Sequence, residues 1–441
     1  MKKNIIILLL LYFQTVNAQN KTSPFETDIQ AAVFSISKVM MHDVVNPPAA
    51  ARYYAYCLLG SYEIVSQNDT SLIPVSKFIK EYKPDFIEAK KSDYNYKVAA
   101  LYCILETGKL MLPSGYMLQE DEDEFIKQLK LSKFSEKIIQ KSLIIAAEVA
   151  ASIVDYSKGD NYGKLSAKLR YTPLKGDQYW YPTPPAYIEA IEPNWRIIRP
   201  MFIESSGQFN PSPLTPFSKD TTSAFYKLAK EVYDISKNQP QENINIANFW
   251  DCNPFTVSTS GHMTIGFKKI TPGGHWMNIA GIVSKKAKLT FNNAIVVHTL
   301  ISLTLMDGFI TSWNEKYKSN RLRPETYINR YMDTKWVPVL QTPPFPEYTS
   351  AHSVISTASA AVLTYLLGDN FSFTDNSEVI YDIPPRDFHS FNEAAAEAAV
   401  SRLYGGIHYR DGVENGQKEG KILGEFIIEK IRSAGVKAFN K

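Results

Sequence analysis

Cysteine is scarce: three residues in a chain of 441, an odd set that allows at most one disulfide in an oxidising compartment. Cys57 and Cys103 sit in apolar helical contexts (YCLLG and LYCIL), so buried free thiols are the expected state, and the spacing to Cys252 does not suggest a thiolate metal site. An excess of charge of one sign is also missing, with 48 Lys and Arg against 45 Asp and Glu and a formal charge of +3. That balance gives no support for nucleic acid or an acidic membrane as partner. Long runs of alternating apolar and polar residues are lacking, and the Asp307-Gly308 and Asp411-Gly412 pairs are not flanked by alternating strands. Internal repeats and low-complexity segments are absent as well.

What is present is mostly helical periodicity, and the chain reads as all-α. Residues 1–18, MKKNIIILLLLYFQTVNA, combine two lysines, an apolar run and a small-residue end, the pattern of a secretory signal cut before Gln19. Its loss would leave a formal charge of +1 and an exported chain, periplasmic or extracellular. No later stretch is expected to replace that run as a membrane span. Residues 19–159 read as an N-terminal helical region, with helices expected at about 28–44, from Pro47, and at 93–110, 121–129 and 135–157. Residues 160–441 form the second region, expected to pack with the first as one unit. It opens on a Tyr-, Pro- and Gly-rich stretch, 160–185, whose aromatics call for burial in a lid or site wall. A second irregular stretch runs from Phe249 to Trp276, and an apolar stretch from Leu289 to Trp313 ends in a polar turn.

The chemistry gathers around PEYTSAHS, Pro346 to Ser353, just before the small and apolar run that ends at Gly368. Thr349 or Ser350 is the expected N-cap, which places Ser350, Ala351 and His352 at a first helical turn, where free N–H groups and the helix dipole favour an oxyanion. The cations such a site needs are available. Lys316 and Arg323 are seven residues apart, close to two helical turns, so both heads can reach one point. Arg402 and His408 flank Gly405-Gly406 in SRLYGGIHYRDG. A lone pair of such cations is usually a solvated surface feature; this ordered set is not. Arginine suits a tetrahedral oxyanion because its planar fork gives paired hydrogen bonds.

These three segments resemble the signature of the superfamily that joins vanadium-dependent haloperoxidases with type 2 phosphatidic acid phosphatases and bacterial acid phosphatases. Its pattern is a Lys, six residues and Arg-Pro, then Pro-Ser-Gly-His, then Ser-Arg, five residues, His, three residues and Asp. Lys316, Arg323 and Pro324 match the first segment, and Ser401, Arg402 and His408 the third. Two positions depart. The second segment reads Thr349-Ser350-Ala351-His352, and position 412 is Gly, with Asp411 one residue early. Segments 179–195, 273–280 and 312–317 also resemble stretches of bacterial vanadium haloperoxidase-like proteins.

The resemblance implies an all-α helical bundle that binds vanadate or phosphate. Lys316, Arg323 and Arg402 would neutralise the oxyanion, Ser350 and the Ala351 N–H would donate to it, and His352 would be the general acid–base. His408 would bind the vanadium of vanadate, or attack phosphorus, and Lys316 or His352 would polarise a peroxide. Asp411, Asp307 and His275 are candidates for supporting roles, with Arg402 the suggested partner of Asp307, and Trp313 and Phe345 are either walls of a halide pocket or core. The first expectation is an exported vanadate-dependent haloperoxidase using hydrogen peroxide and a halide, iodide or bromide ahead of chloride. The alternatives are a phosphatase acting on a small phosphate ester through a phosphohistidine, and a non-catalytic oxyanion-binding protein. Members of this group are often oligomeric, and no surface stripe in the sequence marks such an interface.

Overall fold

The structure is a computed structural model and describes residues 24–82, 93–260 and 262–439. The expected signal segment lies outside the described residues. Thirteen α-helices carry them: α1 Pro24–His42, α2 Pro47–Asn68, α3 Tyr96–Met111, α4 Leu118–Leu131, α5 Glu136–Lys158, α6 Ala224–Asn238, α7 Gln241–Phe249, α8 Pro272–Lys286, α9 Phe291–Ser319, α10 Pro324–Tyr331, α11 Ala351–Leu367, α12 Phe391–Tyr404 and α13 Arg410–Ala434. Two short antiparallel hairpins accompany them, β1 Val257–Ser260 with β2 Met263–Gly266, and β3 Phe373–Asp375 with β4 Arg386–Phe388.

The protein is built around α9. Thr290 caps its N-terminus by accepting from Asn293 N–H, and nearly every residue from Phe291 to Lys316 is buried. Among the described helices α9 alone has the length and apolar composition to cross a membrane, and that window is entirely buried inside the fold. It packs between α2 and α8 on one side and α11 on another, and one apolar cluster takes in residues from Ile29 to Val436.

Against α11 lies α13, held unusually close by glycine at every fourth position. A Cβ on Gly416 would fall 2.8 Å from the Ser350 carbonyl oxygen, and one on Gly420 would fall 2.3 Å from that of Val354. Bare backbone on this face lets α13 press onto the first turn of α11, which fixes Ser350 and its neighbours from behind.

The polar run after Trp313 is not a turn. Helix α9 continues through Lys316 to Ser319 and stops at Asn320, whose backbone is left-handed (φ 47°). Lys316 and Arg323 therefore do not share a helix; Arg323 is the residue before α10, set by Pro324. The Tyr- and Pro-rich stretch 160–185 braces this break: Trp180 N–H donates to the Asn320 carbonyl (2.8 Å) and Leu322 N–H to that of Gln178 (3.1 Å). Helix α8 starts inside the stretch expected to be irregular, because Thr271 caps it and Pro272 is pre-set for its first turn. All three cysteines are free and buried.

Candidate active site

Helix α11 starts at Ala351 with Ser350 as N-cap, the serine Oγ accepting from Ser353 N–H at 3.3 Å. The segment leading into it is tied down by Lys316. Its ammonium, at the buried end of α9, donates to the carbonyls of Pro346, Glu347 and Thr349 at 3.1, 3.1 and 2.6 Å. All three of its protons go to the main chain, so Lys316 brings positive charge and rigidity to the turn.

Two arginines converge from the other side, both essentially without exposure. Arg323 donates from Nε to Phe345 O (3.0 Å) and from Nη1 to Ile407 O (2.8 Å) and His408 Nε2 (3.0 Å). Arg402 donates from Nη1 to Trp250 O and to His352 Nε2, both at 2.9 Å. Arg323 Nη2 and Arg402 Nε and Nη2 are buried without a hydrogen-bond partner. A buried charged donor left unmatched costs about 1–3 kcal/mol or more, so three in one place mark the position of an anion rich in acceptor oxygens. The donor set therefore fits vanadate or phosphate.

The histidine tautomers follow from the arginines, which can only donate. His408 accepts at Nε2, so its proton is on Nδ1, where it donates to Glu347 Oε1 at 2.7 Å. His352, partly exposed at the cradle's edge, likewise accepts at Nε2. Both imidazoles are held well below their ordinary pKa, first by burial and next by the neighbouring cations, Arg402 beside His352 and Arg323 beside His408. Burial and Arg323 do the same to Lys316, and Arg323 itself is pulled down to about 10, mainly by burial. The cradle is thus a dry cluster of like charge.

Glu347 was not singled out in the sequence. It is fully buried, holds His408, also accepts from Tyr409 N–H at 3.2 Å, and contacts Arg321 Nε through Oε2 at 2.6 Å. Two signals pointed to it: an acid inside PEYTSAHS, and glycine at 412 where the resemblance places an acid. A Cβ on Gly412 would sit 2.3 Å from Glu347 Oε1, so the carboxylate fills the space a side chain at 412 would use. Asp411 does not reach His408. Its oxygens pair with Arg321 Nη1 (2.8 Å) and Nη2 (2.5 Å), so it stands behind the imidazole only through Arg321 and Glu347.

Asp307 does not pair with Arg402. Its carboxylate accepts from the N–H groups of Met201, Phe202 and Ile203 at 2.7, 2.7 and 3.0 Å, a backbone nest that makes a cation unnecessary, and burial pushes its pKa up to about 6. Phe345 is a wall of the cradle, with the guanidinium of Arg323 5.1 Å and the ammonium of Lys316 5.2 Å from its ring centre; Trp313 packs behind it at 4.8 Å. His42, His262 and His389 are exposed.

His275 lies under Trp250, the rings stacked at 4.5 Å and 17°. Its Nε2 meets Asp375 Oδ2 at 2.7 Å, and Nδ1 faces Cys252 Sγ and Glu378 Oε1. Asp375 and the Cys252 sulfur hold its pKa well above the ordinary value against the opposing effect of burial. The same Trp250 gives its carbonyl to Arg402, so one residue joins this cluster to the cradle.

Comparison with known proteins bears on the family and the fold. Residues 296–435 match the family model for the VCPO second helical-bundle domain. The whole fold is similar to the crystal structure of a bacterial vanadium-dependent iodoperoxidase, with 39% identity, a TM-score of 0.85, and coverage of 94% of this chain and 98% of that one. A bacterial vanadium-dependent chloroperoxidase in its holo form has the same fold at 13% identity and a TM-score of 0.64, covering 89% of this chain and 93% of its own. No curated protein matches the chain. With a full-length relative at that identity, and with the Lys-Arg, Ser-Ala-His and Arg-His segments folded into one cradle, the chain belongs to the vanadium haloperoxidase superfamily and is a haloperoxidase-like enzyme.

Proposed function

We propose that the protein is an exported, vanadate-dependent haloperoxidase that oxidises iodide, and bromide less readily, with hydrogen peroxide. The observation that carries this is the set of unmatched donors, Arg323 Nη2 and Arg402 Nε and Nη2, buried in the cradle that also holds His408, whose Nε2 accepts from Arg323 Nη1 and would exchange that hydrogen bond for the bound group. The similarity to an iodoperoxidase over almost the whole chain favours iodide and favours peroxidase over phosphatase chemistry. The apolar run and small-residue end of residues 1–18 support export.

His408 would ligate the vanadium through Nε2, with Glu347 keeping the proton on the other nitrogen. Arg323 Nη2 and Arg402 Nε and Nη2 would bind the oxyanion's oxygens, with Ser350 and the Ala351 N–H at the start of α11 adding donors. Lys316 keeps the Pro346–Thr349 main chain in place and adds its charge. When bound, vanadate supplies a Lewis-acidic centre at which hydrogen peroxide becomes reactive toward halide. Overall the halide loses two electrons, the peroxide O–O bond breaks, and one proton is consumed to give hypohalous acid and water. His352, neutral at pH 7 and the least enclosed titratable group of the cradle, is placed to pass that proton. Phe345, backed by Trp313, gives the cradle an apolar wall beside its cations.

The test is a paired assay on the mature protein, with and without orthovanadate. Iodide oxidation by hydrogen peroxide that depends on vanadate is the expected result. Hydrolysis of a chromogenic phosphate ester that vanadate inhibits, with no halide turnover, would overturn it in favour of a phosphatase. Silence in both arms would favour an oxyanion-binding protein.

A further inference from the structure

A second constellation lies outside the oxyanion cradle. Cys252 Sγ, His275 Nδ1 and Glu378 Oε1 converge from three separate segments: the chain after α7, the first turn of α8 and the chain after β3. Sγ and Nδ1 are 3.3 Å apart, Nδ1 and Oε1 3.1 Å, and Sγ and Oε1 3.9 Å. A tetrahedral ion bound at roughly 2.0–2.3 Å sets its ligand atoms about 3.3–3.7 Å from one another, so this triangle has the size of one face of such a site.

Two further observations point to a cation. Glu378 is fully buried, and while its Oε1 meets His275 Nδ1 at 3.1 Å and the Cys252 thiol at 3.9 Å, its Oε2 has no partner. Against His275, Asp375 is built as an orienting acid. Its Oδ2 meets Nε2 at 2.7 Å and its Oδ1 is fixed by Ser377 N–H at 2.9 Å. A carboxylate on one imidazole nitrogen leaves the other nitrogen free to ligate, which is how metal-binding histidines are commonly held.

We propose that Cys252, His275 and Glu378 bind a divalent cation of the Zn²⁺ class, with Asp375 orienting the imidazole and the Glu378 carboxylate filling one vertex through either oxygen. A thiolate and a carboxylate would neutralise a dication, and the sulfur–nitrogen–oxygen set suits Zn²⁺ better than Ca²⁺ or Mg²⁺. Cysteine spacing excluded a multi-thiolate centre, but a mixed site needs only one cysteine and is assembled by the fold. With all three ligands buried, the ion enters as the chain folds and acts structurally. It would fix the floor on which Trp250 stacks, and through the Trp250 carbonyl the placement of Arg402. This inference does not depend on the haloperoxidase reading.

The experiment is elemental analysis of protein purified without a histidine tag or chelator, equilibrated with Zn²⁺ and gel-filtered. The expected result is about one zinc per chain, kept by Cys57→Ser and lost by Cys252→Ser. Refolding with Co²⁺ in place of Zn²⁺ should give a thiolate-to-cobalt charge-transfer band. Zinc at background level, or zinc kept in full by folded Cys252→Ser, overturns the proposal. Should Cys252→Ser fail to fold, the cobalt spectrum of the unaltered protein decides, and absence of the band overturns it.

Discussion

The oxyanion cradle and the cluster around His275 contain the same residue type at the same depth, yet they are electrostatic opposites. His408 is surrounded by Arg323, Lys316 and Arg402 and is pushed well below its ordinary pKa; His275 is surrounded by Asp375, Glu378 and Cys252 and is pushed well above it. A third imidazole, His298 within α9, is brought down to about 4 by burial, against the effect of its hydrogen bond to the Ala294 carbonyl. Depth therefore makes a buried histidine neutral by default, and its neighbours decide whether the site needs an anion or a cation. Trp250 stands between the two, its carbonyl serving one and its ring the other.

The sharpest way to break the cradle's half of this contrast is His408→Ala. Vanadate-dependent iodide oxidation should fall by about a thousand-fold or more, measured as kcat/KM at saturating orthovanadate. Arg402→Met removes the donors most evidently lacking a partner. Its expected cost is about 100-fold in orthovanadate affinity, read by titration calorimetry on the apoprotein. Next in size is Glu347→Gln, which should weaken vanadate binding by about 10- to 100-fold, as loss of an orienting partner does. Asp411→Asn should cost clearly less, because Asp411 touches Arg321 and not the imidazole. Equal losses in these two variants would refute the assignment of Glu347 as the orienting acid.

The smallest effect concerns the reference histidine. His298 has a folded pKa of about 4, below its ordinary value of 6.5, so it stays neutral in the fold while the unfolded chain takes up a proton. The stability this contributes is present above pH 6.5 and is lost as pH falls toward 4. The loss amounts to about 3 kcal/mol. Urea unfolding of His298→Gln at pH 7 and pH 4 should show a drop between the two pH values smaller by about that amount.

Much of the fold was legible because helical periodicity and caps are local signals. The N-terminal helices and α11 lie close to where apolar spacing, Pro47 and Gly368 put them. Helices α6, α7, α8 and α10 were missed: α7 and α10 have only 9 and 8 residues and α8 opens on Pro272-Gly273-Gly274, whereas α6 does carry an apolar stripe and a Ser223 cap. The cradle's residues were readable because their spacing is distinctive. Their partners were not. Asp307 finds three backbone N–H groups more than a hundred residues away in sequence, and Glu347 finds His408 only because α13 approaches α11 on a face without side chains. Contacts of that kind are set by tertiary geometry, and a single sequence carries them only as oddities, such as a glycine where an acid was expected.

That glycine has a consequence for divergence within the superfamily. Since one carboxylate at 347 and any side chain at 412 compete for the same few ångströms, the two positions behave as an exclusive choice. A lineage moving the acid from the segment before α11 to α13 must pass through a chain with neither or with a clash. Gly412→Asp alone should be harmful here and should become tolerable only alongside Glu347→Ala, so that pairing of substitutions is the historical trace to expect wherever the acid has changed places.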